Sequence, residues 1–331
     1  MKPKATLKKI ADTLQLSIST VSRALKSHPD ISEETRRKVQ ELAELLEYEP
    51  NTHAISLRTN HSKVFAIIVP AITNFFYQSF ISAVEEESRL HGYSLLILQS
   101  GDDPQTELIN LKLCRQNRVA GIFVSVTIQT TDIKPFLKMD DLDVPVVFFD
   151  KVPDFEACNK VCIADALAAE MAVDALMRRK RKKILGLFGN QDMSITKKRL
   201  LAFNNRLAAF GKGVEWKTAH AQHPQEAREW VHQYAQSGWA FDGIFCMSDD
   251  ILMGVMKAIQ ERKYLVPKRV SVISMSDGFL PQLYEPEISF VETSGYKLGK
   301  VTFTRMLACL SGSTFVQEIR VDPVLMERGS L

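Results

Sequence analysis

The sequence predicts a small all-α helix-turn-helix domain followed by an α/β domain of two lobes, each a doubly wound parallel sheet. Three observations lead there. Apolar residues recur at helical spacing in three short segments between Thr6 and Leu46. From Lys63 onward, short apolar runs alternate with amphipathic stretches, the pattern of βαβ units. That alternation runs as far as Phe149 and begins afresh at Ile184, so the unit occurs twice.

In the first segment Leu7, Ile10, Ala11 and Leu14 stand at i, i+3, i+4 and i+7, one apolar stripe along a short helix, with Thr6 placed to cap it. Ser17 caps a second helix whose inward positions are Val21, Ala24 and Leu25. Ile18, Ser19, Ser22, Arg23 and Lys26 then face outward. A third helix starts after Ser32, with Glu33 and Glu34 at the positive end of its dipole, and buries Val39, Leu42, Ala43 and Leu46. A thin apolar seam shared by three small helices fits a helix-turn-helix unit, whose second helix enters a major groove. Over the first twenty-six residues Lys2, Lys4, Lys8, Lys9, Arg23 and Lys26 meet a single acid, Asp12. A one-sided basic surface of this kind suits a phosphate backbone. A solvated basic bundle would carry a similar charge run, but not the short hydroxylated face beside it.

This stretch resembles the DNA-binding head of the lactose-repressor (LacI/GalR) family. The resemblance is carried by Thr6-Leu7 with Ile10-Ala11, by Ser17-x-x-Thr20-Val21-Ser22-Arg23, by Thr35-Arg36 with Val39, and by Tyr48-x-Pro50-Asn51-x-x-Ala54-x-x-Leu57. It implies that Ile18, Ser19 and Arg23 read base edges, and that Ser17, Thr20, Ser22 and Asn51 contact phosphates. Arg23 is suited to a two-pronged contact with guanine, and Ile18 to a thymine methyl. In the family the linker matching residues 51–58 forms a short hinge helix in the minor groove, where the leucine at the place of Leu57 wedges between base steps. Arg58 follows and is placed to read groove width. With Thr6, Lys26 and Ala54 these residues complete the expected DNA contacts. Eight residues containing Thr52, His53 and Ser56 make a poor isolated helix, so the hinge is expected to order on DNA, beside its twin from a second subunit.

Beyond the linker, strands are expected at Val64–Val69, Tyr93–Leu98, Val119–Val124 and Val144–Phe149, with helices at Asn74–His91 and Gln105–Asn117. The second set comprises strands at Ile184–Phe188, Gly243–Met247 and Val270–Ser274, and helices at Thr196–Phe210, Ala227–Gln236 and Ile251–Arg262. Ile288–Glu292, a helix at Leu298–Leu310 and strands near Gln317–Val321 are expected to cross back to the first lobe. The family resemblance continues through Ala83-Val84-Glu85, His91-Gly92-Tyr93, Asp165, Arg199-x-x-Ala202-Phe203, Ser248-Asp249-Asp250, Val266-Pro267 and Leu298-Gly299. It implies a periplasmic-binding-protein-like domain with a cleft between its lobes. The expected organisation is a DNA-binding domain at 1–50, a hinge at 51–61 and an effector-binding and dimerisation domain at 62–331. Lobe one then holds about 62–163 and 293–320, and lobe two about 164–292 and 321–331.

Ligands of open α/β sheets sit beyond the carboxyl ends of the strands. That places Phe76, Tyr77, Asp150, Arg199, Phe245, Ser248, Ser276 and Asp277 as candidate effector contacts. Aromatic faces, carboxylates and one guanidinium suit a sugar or related metabolite. The chain departs from the family after Ile273. Ser274 and Met275 replace a glycine and an aromatic, Ser276 stands where the first acid is expected, and Ala202 replaces the usual glycine. Which of Ser276 and Asp277 serves the ligand is left open.

The net charge of +3 is too small to announce nucleic acid by itself; its placement carries the information. The basic start lacks the apolar core of an export signal, no run reaches the length of a membrane span, and a cytoplasmic location is expected. Five cysteines without a C-x-x-C are expected to be reduced, buried thiols. There is no Gly-rich dinucleotide or phosphate loop and no nucleophile elbow, so neither catalysis nor a cofactor is expected. His220, His223 and His232 are expected to be solvated, with no metal, and the Arg178–Lys183 run to be a solvated helix end. The leading function is a DNA-binding transcriptional regulator, a repressor in expected sense, acting on double-stranded operator DNA under a small-molecule effector. Without a heptad tail a homodimer is expected, with no membrane partner. A solute-binding protein without a DNA role is the alternative, but it has no use for residues 1–58.

Overall fold

The computed structural model describes residues 6–48, 62–313 and 315–331. Its contacts divide the chain into two compact units, Met1–His61 and Ser62–Leu331.

The first unit contains α1 (Leu7–Leu14), α2 (Ile18–Leu25) and α3 (Glu33–Leu45). Each begins at a hydroxyl cap. Thr6 accepts from the Lys9 N–H at 3.2 Å, Ser17 from Thr20 at 3.0 Å and Ser32 from Thr35 at 3.3 Å, satisfying donors that a helix start leaves open. Gln15 ends α1 in the left-handed region at φ 51°, which permits the tight turn into α2. Ile10, Ala11, Val21, Ala24, Val39 and Ala43 are buried between the helices, with Leu7, Leu14, Leu25, Leu42 and Leu46 at the margin. So thin a core leaves the unit marginal, and its caps matter accordingly.

The second unit holds two six-stranded sheets. The first is built from β1 (Val64–Val69), β2 (Ser94–Gln99), β3 (Gly121–Val124), β4 (Val146–Phe149), β5 (Asn159–Ile163) and β11 (Glu318–Val321), in the order β11-β5-β4-β3-β1-β2. All its pairings are parallel. The second is built from β6 (Lys183–Phe188), β7 (Glu215–His220), β8 (Gly243–Cys246), β9 (Ser271–Ser276), β10 (Ser289–Glu292) and β12 (Val324–Met326), in the order β12-β10-β9-β8-β6-β7. Only β12 runs antiparallel.

Between the strands lie α4 (Phe75–Leu90), α5 (Pro104–Gln116), α6 (Lys134–Asp140), α7 (Asp165–Arg178), α8 (Ser194–Ala209), α9 (Pro224–Gln236), α10 (Asp249–Glu261) and α11 (Gly295–Leu310). Helices cover the sheets as parallel strands require. Phe80 and Val84 of α4 join Leu298, Phe303 and Met306 of α11 against β1, β3 and β4. Leu111 and Cys114 of α5 join Phe136 and Met139 of α6 in a second cluster. The α4–α11 contact needs glycine at 295, where a Cβ would stand 2.2 Å from the Phe76 carbonyl oxygen.

Two corrections to the sequence reading concern the chain path, and a third concerns the histidines. Ile288–Glu292 does not cross back: β10 stays in the second sheet, beside β9, and the return is made by α11 and β11. Four elements were not foreseen, β5, β7, β12 and α6. Their sequences are short or polar, and β7 (EWKTAH) is an edge strand with only Ala219 of its six residues buried. Nor are all the histidines solvated. The half-buried His220 ring lies 2.8 Å from the Gly189 carbonyl oxygen, and His232 lies 2.9 Å from Glu261.

The Arg178–Lys183 run does end a helix, but Arg178 and Arg179 both bind Glu327, and Arg181 donates to Ser271 and to the Pro267 carbonyl. All five cysteines are free, and burial pushes the thiols of Cys114 and Cys162 up to about 12. Among the described residues no helix is long and apolar enough to cross a membrane.

Candidate DNA-binding face and ligand cleft

In the first unit, the cap of α2 turns its hydroxyls outward together. Ser17 Oγ lies 2.7 Å from Ser19 Oγ and 2.8 Å from Thr20 Oγ1. Ser17, Ile18, Ser19, Arg23 and Lys26 are exposed, and Thr20 and Ser22 are half-buried. Ile18 is 50% exposed, a large apolar side chain set in a polar face. Lys8 and Lys9 on α1 are also exposed. The helix spacing that buries Val21 and Ala24 therefore gathers Ile18, Ser19, Ser22, Arg23 and Lys26 on the opposite side. Thr6 is committed as the α1 cap. Asn51, Ala54, Leu57 and Arg58 lie outside the described residues.

The cleft lies in the second unit, at the carboxyl ends of strands from both sheets. A cavity of about 520 Å³ is lined from lobe one by the segments after β1 and β4, including Phe76, Tyr77, Asp150 and Lys151. From lobe two come segments after β6, β8 and β9, including Gly189, Ser248, Asp249, Ser276 and Asp277, with Arg199 from α8. Most of the sequence-predicted contacts are thus brought together. Phe245 is the correction: it is fully buried in the lobe-two core, with ring centres 5.3 Å from Phe188 and 5.1 Å from Phe203. It sits within β8, all four residues of which are buried, two positions before Met247, where the chain first lines the cavity.

Several charged groups of the cleft are held by specific partners. Tyr77 is buried; its hydroxyl donates to Asp150 at 2.8 Å and lies 3.0 Å from Ser125 Oγ. Asp150 holds the left-handed region at φ 56°, which turns the chain sharply at the end of β4. Burial raises its carboxyl, with the Tyr77 hydrogen bond and Lys151 opposing the rise. Lys151 reaches Asp102 at 3.1 Å. Arg199 is buried, with its Nε 2.7 Å and Nη2 2.6 Å from Asp165 Oδ1, and donates from Nη1 to the Met247 carbonyl at 3.1 Å.

Asp277 accepts from the Gly295 N–H at 2.6 Å and from the Ser79 hydroxyl, so it ties β9 of lobe two to α4 and α11 of lobe one. Ser248 caps α10. Ser276 is buried and donates to Asp249 Oδ1 at 2.5 Å. Asp249 is 8% exposed, and burial raises its carboxyl to about 6. With Lys151 and Asp250 it is among the charged lining residues that the sequence reading missed. Its signal was present in Ser248-Asp249-Asp250, but acids in a first helical turn pass as dipole partners. Where the family resemblance led one to expect an acid at 276, the structure has a hydroxyl holding an acid from another element.

A helix-turn-helix head and a body of two ligand-clasping lobes on one chain define a DNA-binding protein answering to a small molecule. Comparison with known proteins gives the same class. A family model for bacterial regulatory proteins of the lacI family matches residues 6–51, and one for a periplasmic binding protein-like domain matches 173–331. The HTH-type transcriptional regulator RegA of Clostridium saccharobutylicum is 25% identical over 309 residues, covering 92% of each chain. The ribose operon repressor of Haemophilus influenzae is 26% identical over 320 residues, covering 92% of this chain and 91% of that one. The lac repressor dimer bound to operator and the anti-inducer ONPF shares the fold at a TM-score of 0.88, with 19% identity over 99% of both chains. Residues 6–51 thus match the lacI family of bacterial regulatory proteins.

Proposed function

We infer that this chain is a cytoplasmic homodimeric repressor, without catalytic activity, whose grip on operator DNA is set by a small metabolite held between the lobes of the second unit. The observation that carries this reading is the pairing of two features on one chain: the exposed Ile18-Ser19-Arg23 face of α2 and the cleft between two sheets. α2 enters the major groove, with Arg23, Ile18 and Ser19 against base edges and Ser17, Thr20, Ser22 and Lys26 near phosphates. The linker residues Asn51, Ala54, Leu57 and Arg58 serve the minor groove.

In the cleft, Phe76 supplies an apolar face, while Asp150, Asp249 and Ser248 supply polar contacts. Arg199, already engaged with Asp165, fixes the wall through its bond to Met247. Asp277 couples the lobes, so a ligand that changes their separation must act on that junction. A ligand shifts the equilibrium only by its differential affinity for the two arrangements.

The test is selection of genomic fragments by the purified protein, followed by titration of the selected site against random duplex. Arg23→Ala is expected to cut the preference by roughly 5- to 150-fold, the equivalent of one two-pronged base contact. Equal binding of selected and random duplex by the unaltered protein would exclude the reading.

A further inference from the structure

The proposed ligand cleft is unbalanced in charge. Asp150, Asp249, Asp250 and Asp277 line it, and among the described residues its strong cations are Lys151 and Arg199. Both cations are already matched, Lys151 by Asp102 and Arg199 by Asp165. His223, exposed at the rim, is the one other basic side chain of the lining. A second feature is independent of the acids. The Thr196 hydroxyl is fully buried and without a hydrogen-bond partner. It stands one turn before Arg199 on α8 and faces Gly189 at the cavity wall, where a Cβ would lie 3.5 Å from it.

We propose that the effector is a polyhydroxylated molecule carrying a basic nitrogen, an amino sugar in chemical class, and that sugar acids and sugar phosphates are excluded. This rests on the reading of the cleft as the effector site and narrows it. An ammonium group offers donors to the carboxylates and relieves their mutual repulsion, and the remaining hydroxyls meet Asp150 and Ser248. An anionic sugar meets those same carboxylates with no unmatched cation to receive it. In a partly enclosed site, each like-charge contact is weakly screened. Burial raises Asp249 and Asp277, and neighbouring acids add to the rise at both, the direction expected of acids that lack a countercharge.

The experiment uses the full chain and three matched sets of probes at equal ionic strength and neutral pH. These are glucosamine, glucose and glucuronate; galactosamine, galactose and galacturonate; and mannosamine, mannose and mannuronate, each at millimolar concentration. In at least one set the amine is expected to raise the unfolding midpoint by about 2–4 °C, the neutral sugar by less, and the uronate not at all. Asp249→Asn and Asp150→Asn, made separately, should each shrink the amine response by more than they shrink the response to the neutral sugar. A uronate shift equal to or above that of its amine, or a flat response to all nine probes, overturns the proposal. Duplex selection by the same preparation separates the two readings. Intact selection without an amine preference refutes the charge assignment alone, whereas lost selection with an amine preference refutes the regulator.

Discussion

Asp249→Asn should make the protein more stable near neutral pH and no more stable in mild acid. In the folded chain the Asp249 carboxyl is raised by burial from 3.8 to about 6, so folding takes up a proton between those values. Stability contributed at this position is therefore complete below pH about 4 and is lost as pH climbs through 6. A carboxyl so displaced costs about 3 kcal/mol once ionised. Asparagine removes that cost and keeps a carbonyl oxygen for the Ser276 hydroxyl. It forfeits the bond from the Asp277 N–H, long at 3.4 Å, a loss of about 1 kcal/mol. The net expectation is a gain of about 2 kcal/mol at pH 7.5 and near parity at pH 4.5, by the same arithmetic. Urea unfolding followed by tryptophan fluorescence reads the correct lobe, because Trp216, Trp230 and Trp239 all lie in lobe two with Asp249. An advantage equal at both pH values, or a variant weaker than the parent at pH 7.5, would refute the assignment of a buried and uncompensated carboxylate.

Gly295→Ala should cost about 3 kcal/mol or more, because the new methyl would meet the Phe76 carbonyl at 2.2 Å and force α4 and α11 apart; thermal unfolding measures this. Phe245→Ala should cost about 3–5 kcal/mol through loss of a core aromatic. At temperatures where the variant stays folded, its ligand affinity should be unchanged by calorimetry, since Phe245 packs on Phe188 and Phe203 away from the cleft.

What could be read from the sequence follows from the range of the interactions involved. The three helices of the head are local objects: Thr6, Ser17 and Ser32 announce their caps, and a 3.6-residue period marks the buried stripe. Apolar runs such as Val64–Val69 and Ile184–Phe188 also declare themselves, because strands buried on both faces need few partners to be recognised. β5 (NKVCI) was hidden by Lys160, which is buried within the strand, and β7 by its polar edge. The cleft was legible as a set of strand ends but not as a network. Whether Asp249 or Asp277 presents a carboxylate to the cleft depends on contacts such as Ser276 to Asp249 and Asp277 to Gly295. These join residues separated by eighteen to twenty-seven positions, and no local pattern carries them. Phe245 failed because it lies inside a strand buried on both faces, and the chain reaches the cleft only from Met247 onward.

The link between the head and the cleft is tested most directly by operator affinity with the cleft filled and unfilled. A compound shown by calorimetry to bind the second unit is added at saturation, and the dissociation constant for the selected duplex is measured by fluorescence anisotropy. The constant should change by about 5- to 150-fold, the span of ordinary allosteric coupling. The change should vanish in Asp150→Ala at concentrations that no longer fill its cleft. An unchanged constant with a saturated cleft would show that the two units on this chain work independently.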